Sequence, residues 1–148
     1  MVPGTHTTVI DAGGRFGLHP TWKNFAGELQ YYLFEPDPDE AKRLREKYRD
    51  RSGEIKVAET ALLDSEDGTR IFIFRNRAMS SSSRRNPISP IFKGEREREV
   101  EIVGHLDVES TTVDDFCDEN GISLDFMKLD TEGSEYAILQ GARRQIAD

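Results

Sequence analysis

The chain has 148 residues, 36% of them apolar and 32% charged, with a formal net charge of −8 at neutral pH. That length and composition fit one globular domain with a real core, and no window approaches the roughly 20 apolar residues needed to cross a bilayer. The acidic balance disfavours general nucleic-acid binding, the lone Cys117 excludes an internal disulfide and argues against a thiolate metal site, and the start, Met1 to His6, lacks the basic and apolar regions of a signal peptide, so a cytoplasmic protein is expected.

Residues 7–11 read as a short buried strand, halted by Ala12, Gly13 and Gly14. A helix is expected over 18–29, with Pro20 in its first turn, where a missing N–H costs nothing. Residues 30–35 form an aromatic-rich second strand. Asp37, Pro38 and Glu40 make a helix start with cap, first-turn proline and capping-box acid in place. Ala41, Leu44 and Tyr48 continue it as one apolar stripe, closed by Ser52 and Gly53. A third strand is expected over 55–61. Strand, helix, strand, helix, strand argues for a parallel sheet with right-handed crossovers.

The texture then changes. A strand is expected over 69–74, a Ser-, Arg- and Pro-rich loop over 79–90, and another strand over 100–106, the two strands forming a hairpin or sheet extension. Basic residues collect here: Arg70, Arg75, Arg77, Arg84, Arg85, Lys93, Arg96 and Arg98, opposed only by Glu95 and Glu97. Such a strip suits an anionic partner or is simply a solvated loop. Thr111 to Asp114 opens a short helix that closes near Gly121. A buried strand over 124–130 precedes a last helix over 134–146, with Tyr136, Ile138, Leu139 and Ala142 on its apolar side.

Chemistry concentrates at strand ends. In doubly wound folds the first strand–helix turn is where nucleotides bind. Here that turn holds Asp11, Gly13, Gly14 and Gly17, whose glycines admit a ligand close to the backbone and to helix N–H groups. The dinucleotide fingerprint needs glycines at positions one, three and six, but Arg15 and Leu18 occupy the third and sixth places counted from Gly13. Asp11 would also repel a pyrophosphate, whereas the cationic ammonium and sulfonium of S-adenosylmethionine favour it. On these grounds a branched side chain at Gly13 should block the ligand while the fold survives. Glu35 closes the second strand, where an acid can accept both ribose hydroxyls; it also suits a helix-capping turn with Asp37. Asp64 follows the third strand, either near an adenine amino group or as a turn residue before Asp67 and Gly68. Asp130, Glu132 and Glu135 cluster after the strand at 124–130. Glu135 suits a helix cap. Asp130 ends a buried strand and is placed to orient a donor or to act as a general base. No spacing among His6, His19 and His105 suggests a metal site, and no metal is assigned.

Together these stretches resemble the FkbM family of methyltransferases: Val9-Ile10-Asp11-Ala12-Gly13, Phe34-Glu35-Pro36-Asp37-Pro38, Ala61-Leu62-Leu63-Asp64, Ser110 to Phe116, and Phe126 to Glu135 running on into Ala142. The resemblance implies an α/β, Rossmann-like class I methyltransferase sheet with an inserted β segment. It implies S-adenosylmethionine as cofactor and O-methylation of a hydroxyl on a sugar or natural-product-like small molecule. By motif match it assigns cofactor binding to Asp11, Gly13, Glu35 and Asp64, with Gly14 and Gly17 in the same turn, and the reaction centre to Asp130 and Glu132. Domains of this kind are expected to continue beyond residue 148, so residues 1–148 are expected to form one cofactor-binding domain lacking its C-terminal strands. Its last strand would then be an exposed edge prone to self-association. The alternative is a nucleoside-binding module that transfers no methyl group; a nicotinamide oxidoreductase is disfavoured by the glycine spacing.

Overall fold

A computed structural model describes residues 6–25, 28–82 and 94–147. In chain order its elements are β1 (Thr7–Ala12), β2 (Leu29–Phe34), α1 (Pro38–Lys47), β3 (Ile55–Ala58), β4 (Ala61–Leu62), β5 (Thr69–Phe74), α2 (Glu95–Glu99), β6 (Ile102–Val108), β7 (Ser110–Thr111), α3 (Val113–Asn120), β8 (Phe126–Leu129), α4 (Glu135–Gln140) and α5 (Arg143–Ala147). The core is a four-stranded sheet in the order β3-β2-β1-β8. All three pairings are parallel, with Val9 opposite Tyr31 and Phe126, and Tyr31 opposite Ile55. The parallel direction is the one expected from the alternation of elements.

Both faces of this sheet are covered, which is why β1 and β2 read as nearly continuous apolar runs. Successive side chains leave a strand on opposite faces. Ile10, Ala12, Tyr32 and Phe34 pack on one side with Val113 and Cys117 of α3 and with Ile138 and Ala142. Val9, Tyr31, Leu33 and Ile55 pack on the other with Leu18, Trp22 and Tyr48. Asp37 caps α1 by accepting from the amides of Asp39 and Glu40, and Thr112 and Gly121 bracket α3, Gly121 in the left-handed conformation. β5 and β6 form the expected antiparallel hairpin.

Four expectations about elements need correction. The helix over 18–29 is absent among the described residues: Pro20–Trp22 make one 3-10 turn, capped by His19. Helix nucleation is costly, and Asn24 and Gly27 are poor formers that do little to propagate it. Trp22 reaches the sheet from that turn, and Leu18 from the segment before it. The strand over 55–61 is two strands, β3 in the main sheet and β4 paired in parallel with β7. The strand expected from residue 100 starts at Ile102, because Val100 closes the short helix α2. The last helix is divided at Gly141, where a Cβ would overlap the carbonyl oxygen of Leu63 and the Gly141 carbonyl accepts from the Asp114 amide at 2.9 Å. Ile138 and Ala142 are buried there, but Tyr136 and Leu139 are exposed. Of the basic strip, Arg70 pairs with Asp107 and Arg75 with Glu101; Arg84, Arg85 and Lys93, and most of the 79–90 loop, lie outside the described residues.

Candidate cofactor site

β1 and β2 end side by side, and their loops are stitched together at once. The amides of Gly13 and Gly14 both donate to the Phe34 carbonyl, at 3.3 and 3.2 Å. Gly13 has φ 84°, and a Cβ on it would overlap the carbonyl oxygen of Asp130. Only glycine lets the β1 turn cross so near the end of β8. Gly14 is closely packed on the Leu33 side chain, and Gly17, with φ 85°, on the Tyr48 hydroxyl. These glycines therefore make close contacts within the protein, and among the described residues only the 3-10 turn at Pro20–Trp22 follows them before β2.

Beyond the strand ends lies a cavity of about 220 Å³. Gly13, Glu35, Asp130 and Glu132 line it; Asp11, Gly14, Gly17 and Asp64 do not. Asp64 is exposed beyond β4, while its neighbour Leu63 lines the cavity.

Asp11 is 1% exposed. Its carboxylate accepts from the Tyr31 hydroxyl at 2.5 Å and from Lys128 Nζ at 2.9 Å, a tether across β2, β1 and β8. Burial and the Asp11 carboxylate together push the Tyr31 phenol above its ordinary value. The Asp11 carboxylate is thus hydrogen-bonded inside the sheet by two partners.

Glu35 is 6% exposed and opens onto the cavity. Burial pushes its carboxyl up to about 7, against the lowering effects of a hydrogen bond from the Asp37 amide and of nearby Arg15. That amide bond, 3.0 Å to Oε1, makes Glu35 part of the turn that leads into α1 as well as part of the cavity wall. Arg15 pairs with Glu40 at 2.9 Å and lies 3.7 Å from Asp37. Arg77 approaches Asp37 from the hairpin side at 3.8 Å.

The wall that sequence reasoning missed is the inserted hairpin. Ile71, Ile73 and Leu106 present apolar side chains to the cavity, opposite Phe34 and Leu62. The alternation of Thr69, Ile71 and Ile73 was the available signal for one buried face. Ser81 forms an antiparallel bridge with Phe72, and Ser80, Ser81 and Ser82 line the cavity. Ser81 Oγ donates to the Glu132 carbonyl at 2.7 Å, and Ser82 Oγ meets Ser134 Oγ at 2.6 Å. Glu132 holds a left-handed φ of 58°. Ser80 Oγ and Thr131 Oγ1 are buried without a hydrogen-bond partner among the described residues, and both residues line the cavity. Phe16, 76% exposed, and Asp130, with 66% of its side chain exposed, stand at its rim.

Glu135 accepts from the Thr131 and Gly133 amides at 3.0 and 2.9 Å, so it holds the turn before α4 rather than capping the helix, which has no side-chain cap. Among the described residues no three His, Cys, Asp or Glu side chains come together as a metal site, and no helix is long and apolar enough to cross a membrane.

A family model described as the methyltransferase FkbM domain matches residues 11–148. Among solved structures, the chain is similar to a methyltransferase FkbM from Methylobacillus flagellatus KT at 21% identity and a TM-score of 0.56. The match covers 96% of this chain and 30% of that one, so the chain spans under a third of its relative's length. No curated protein matches the chain.

Proposed function

The chain belongs to the FkbM methyltransferase family, and from that premise we propose that its cavity binds S-adenosylmethionine and serves methyl transfer to a hydroxyl of a small molecule. The observation that carries the reading is Glu35. It is a buried carboxylate at the carboxyl end of β2, with one oxygen engaged by the Asp37 amide and its residue on the cavity wall. A vicinal diol is a fitting partner for such a group, since ribose hydroxyls donate and a carboxylate accepts.

The residues present fit the cofactor. Phe34, Leu62 and the hairpin isoleucines supply apolar walls for a purine. The lone hydroxyls of Ser80 and Thr131 are buried polar groups of the sort that otherwise find partners. Gly13 keeps the β1 turn free of a side chain beside Asp130. When bound, S-adenosylmethionine supplies an activated sulfonium methyl for in-line displacement by an acceptor oxygen. The chain's own share is alignment and charge placement. In this reading Glu35 orients the ribose, and Asp130 and Glu132 face the reacting end, where a carboxylate takes the proton of the acceptor hydroxyl. Asp11, with Tyr31 and Lys128, supports the turn from beneath, and residues 1–148 act as one cofactor-binding domain.

Calorimetric titrations with S-adenosylmethionine, S-adenosylhomocysteine and NAD, side by side, test this. The first two should bind and NAD should not. Glu35→Ala should lose charge-assisted hydrogen bonds worth about 1.5–3 kcal/mol each. A variant that binds S-adenosylhomocysteine as tightly as the parent would remove Glu35 from the site.

A further inference from the structure

We propose that Ser81 is a positioning residue for the cavity: its hydroxyl, donated to the Glu132 carbonyl, holds Glu132 in its left-handed backbone conformation and thereby fixes one wall of the site. The consequence for ligand affinity rests on the reading of the cavity as the S-adenosylmethionine site.

The argument begins with the strain. Glu132 is the one non-glycine residue with positive φ among those described, at 58°. A side-chain-bearing residue is disfavoured there and persists where its surroundings over-determine it. The flanking amides of the turn, Thr131 and Gly133, are both held by Glu135. The Glu132 carbonyl is held from across the cavity, by Ser81 Oγ at 2.7 Å. Ser81 can enforce a direction because it has little freedom of its own. It is 2% exposed, and its amide and carbonyl are bonded to Phe72 of β5 at 3.2 and 2.8 Å.

A short hydroxyl on a residue already laddered to the hairpin thus reaches a carbonyl 51 positions away. Through it the inserted hairpin sets the geometry of a turn whose residues Asp130, Thr131 and Glu132 line the cavity. The neighbouring bond between Ser82 and Ser134 closes the same seam without touching Glu132, and so separates a general stitching role from the specific one assigned to Ser81.

Two measurements on the intact chain test the assignment. Backbone chemical shifts should mark Glu132 as left-handed in the parent and in Ser82→Ala, and that mark should be lost in Ser81→Ala. Calorimetry with S-adenosylhomocysteine should show about fivefold weaker binding for Ser81→Ala, the usual worth of one hydrogen bond. In a Glu132→Gly background, where positive φ costs nothing, the same Ser81→Ala change should lose well under that. An unchanged Glu132 signature in Ser81→Ala overturns the proposal, as does an equal loss of affinity in both backgrounds. If Ser81→Ala does not fold, Ser81→Thr, which keeps the hydroxyl, should retain the Glu132 signature and Ser81→Val should lose it; a left-handed Glu132 in Ser81→Val has the same overturning force. Should the parent itself not bind S-adenosylhomocysteine, the cofactor reading fails, and the Glu132 signature alone decides on Ser81.

Discussion

At the scale of single residues, two buried carboxylates at neighbouring strand ends have opposite fates, and partners explain the difference. Asp11 has Tyr31 and Lys128. Removing one member of such a set leaves a buried charge under-compensated, at a cost of about 3–5 kcal/mol in buried pairs. Lys128 is partly exposed, so Lys128→Met should sit at or below the lower end of that range in urea unfolding, and adding Asp11→Asn should recover part of the loss. Glu35 has no ion pair among the described residues, since nearby Arg15 is engaged by Glu40, and burial raises it to about 7. A carboxyl raised in the folded state favours folding most when protonated. Its contribution is complete below the ordinary value of 4.5 and is lost as pH rises through about 7. Glu35→Gln should therefore be more stable than the parent at pH 8, by at most about 3 kcal/mol, and near parity at pH 4, as thermal melts at both values will show. Ligand binding should run the other way. Ribose hydroxyls need the ionised acceptor, so affinity for S-adenosylhomocysteine should fall as pH drops below about 7, and the Gln variant should lack that dependence.

Elements meet here through glycines that local propensity would misjudge. Gly141 lies between α4 and α5, where alanine is the better helix former by roughly 1 kcal/mol. A Cβ there would overlap the Leu63 carbonyl and press on Thr112 at 3.1 Å. A backbone oxygen has little room to yield, and overpacking costs about 1–3 kcal/mol or more. Gly141→Ala should thus lower the melting temperature; a rise would mean the α3–α5 contact gives way easily. Gly13 presents the same conflict between β1 and β8. Because its Cβ would strike the Asp130 carbonyl and its φ is 84°, Gly13→Val should disturb the fold itself. The expectation of a folded, ligand-blocked variant gives way to one of lost native circular dichroism.

For the molecule as a whole, the parallel sheet ends on β8, which has β1 on one side and no strand on the other among the described residues. Phe126 at its start is 54% exposed, and Tyr136, Leu139 and Ile146 on the helices that follow are exposed too. Unprotected edges and apolar patches of this kind attract other chains. Light scattering should show concentration-dependent association of the 148-residue chain, weakened by Phe126→Lys; a monomer at all concentrations would mean the edge is already shielded.

What the sequence determined by itself is whatever depends on near neighbours. Asp37, Pro38 and Glu40 start α1, Thr112 and Gly121 bracket α3, and the apolar runs of β1 and β2 announce a sheet buried on both faces. Each rests on interactions within a few positions or on strand periodicity, which a linear reading can see. Glu35 and Asp130 were legible for the same reason, as residues at predicted strand ends, and the cavity includes both. The tertiary structure decided the rest. Asp11 read as a group at a strand end, and its bond to Lys128, 117 positions away, was not legible there. Residues 18–29 carried helical signals, yet among the described ones only Pro20–Trp22 take a helical turn. Ser81 read as part of a Ser-, Arg- and Pro-rich loop until the bridge to Phe72 and the bond to Glu132 placed it at a wall of the site. Contacts between distant positions are chosen by packing and hydrogen-bond satisfaction in three dimensions, and residue spacing along the chain carries no record of that choice.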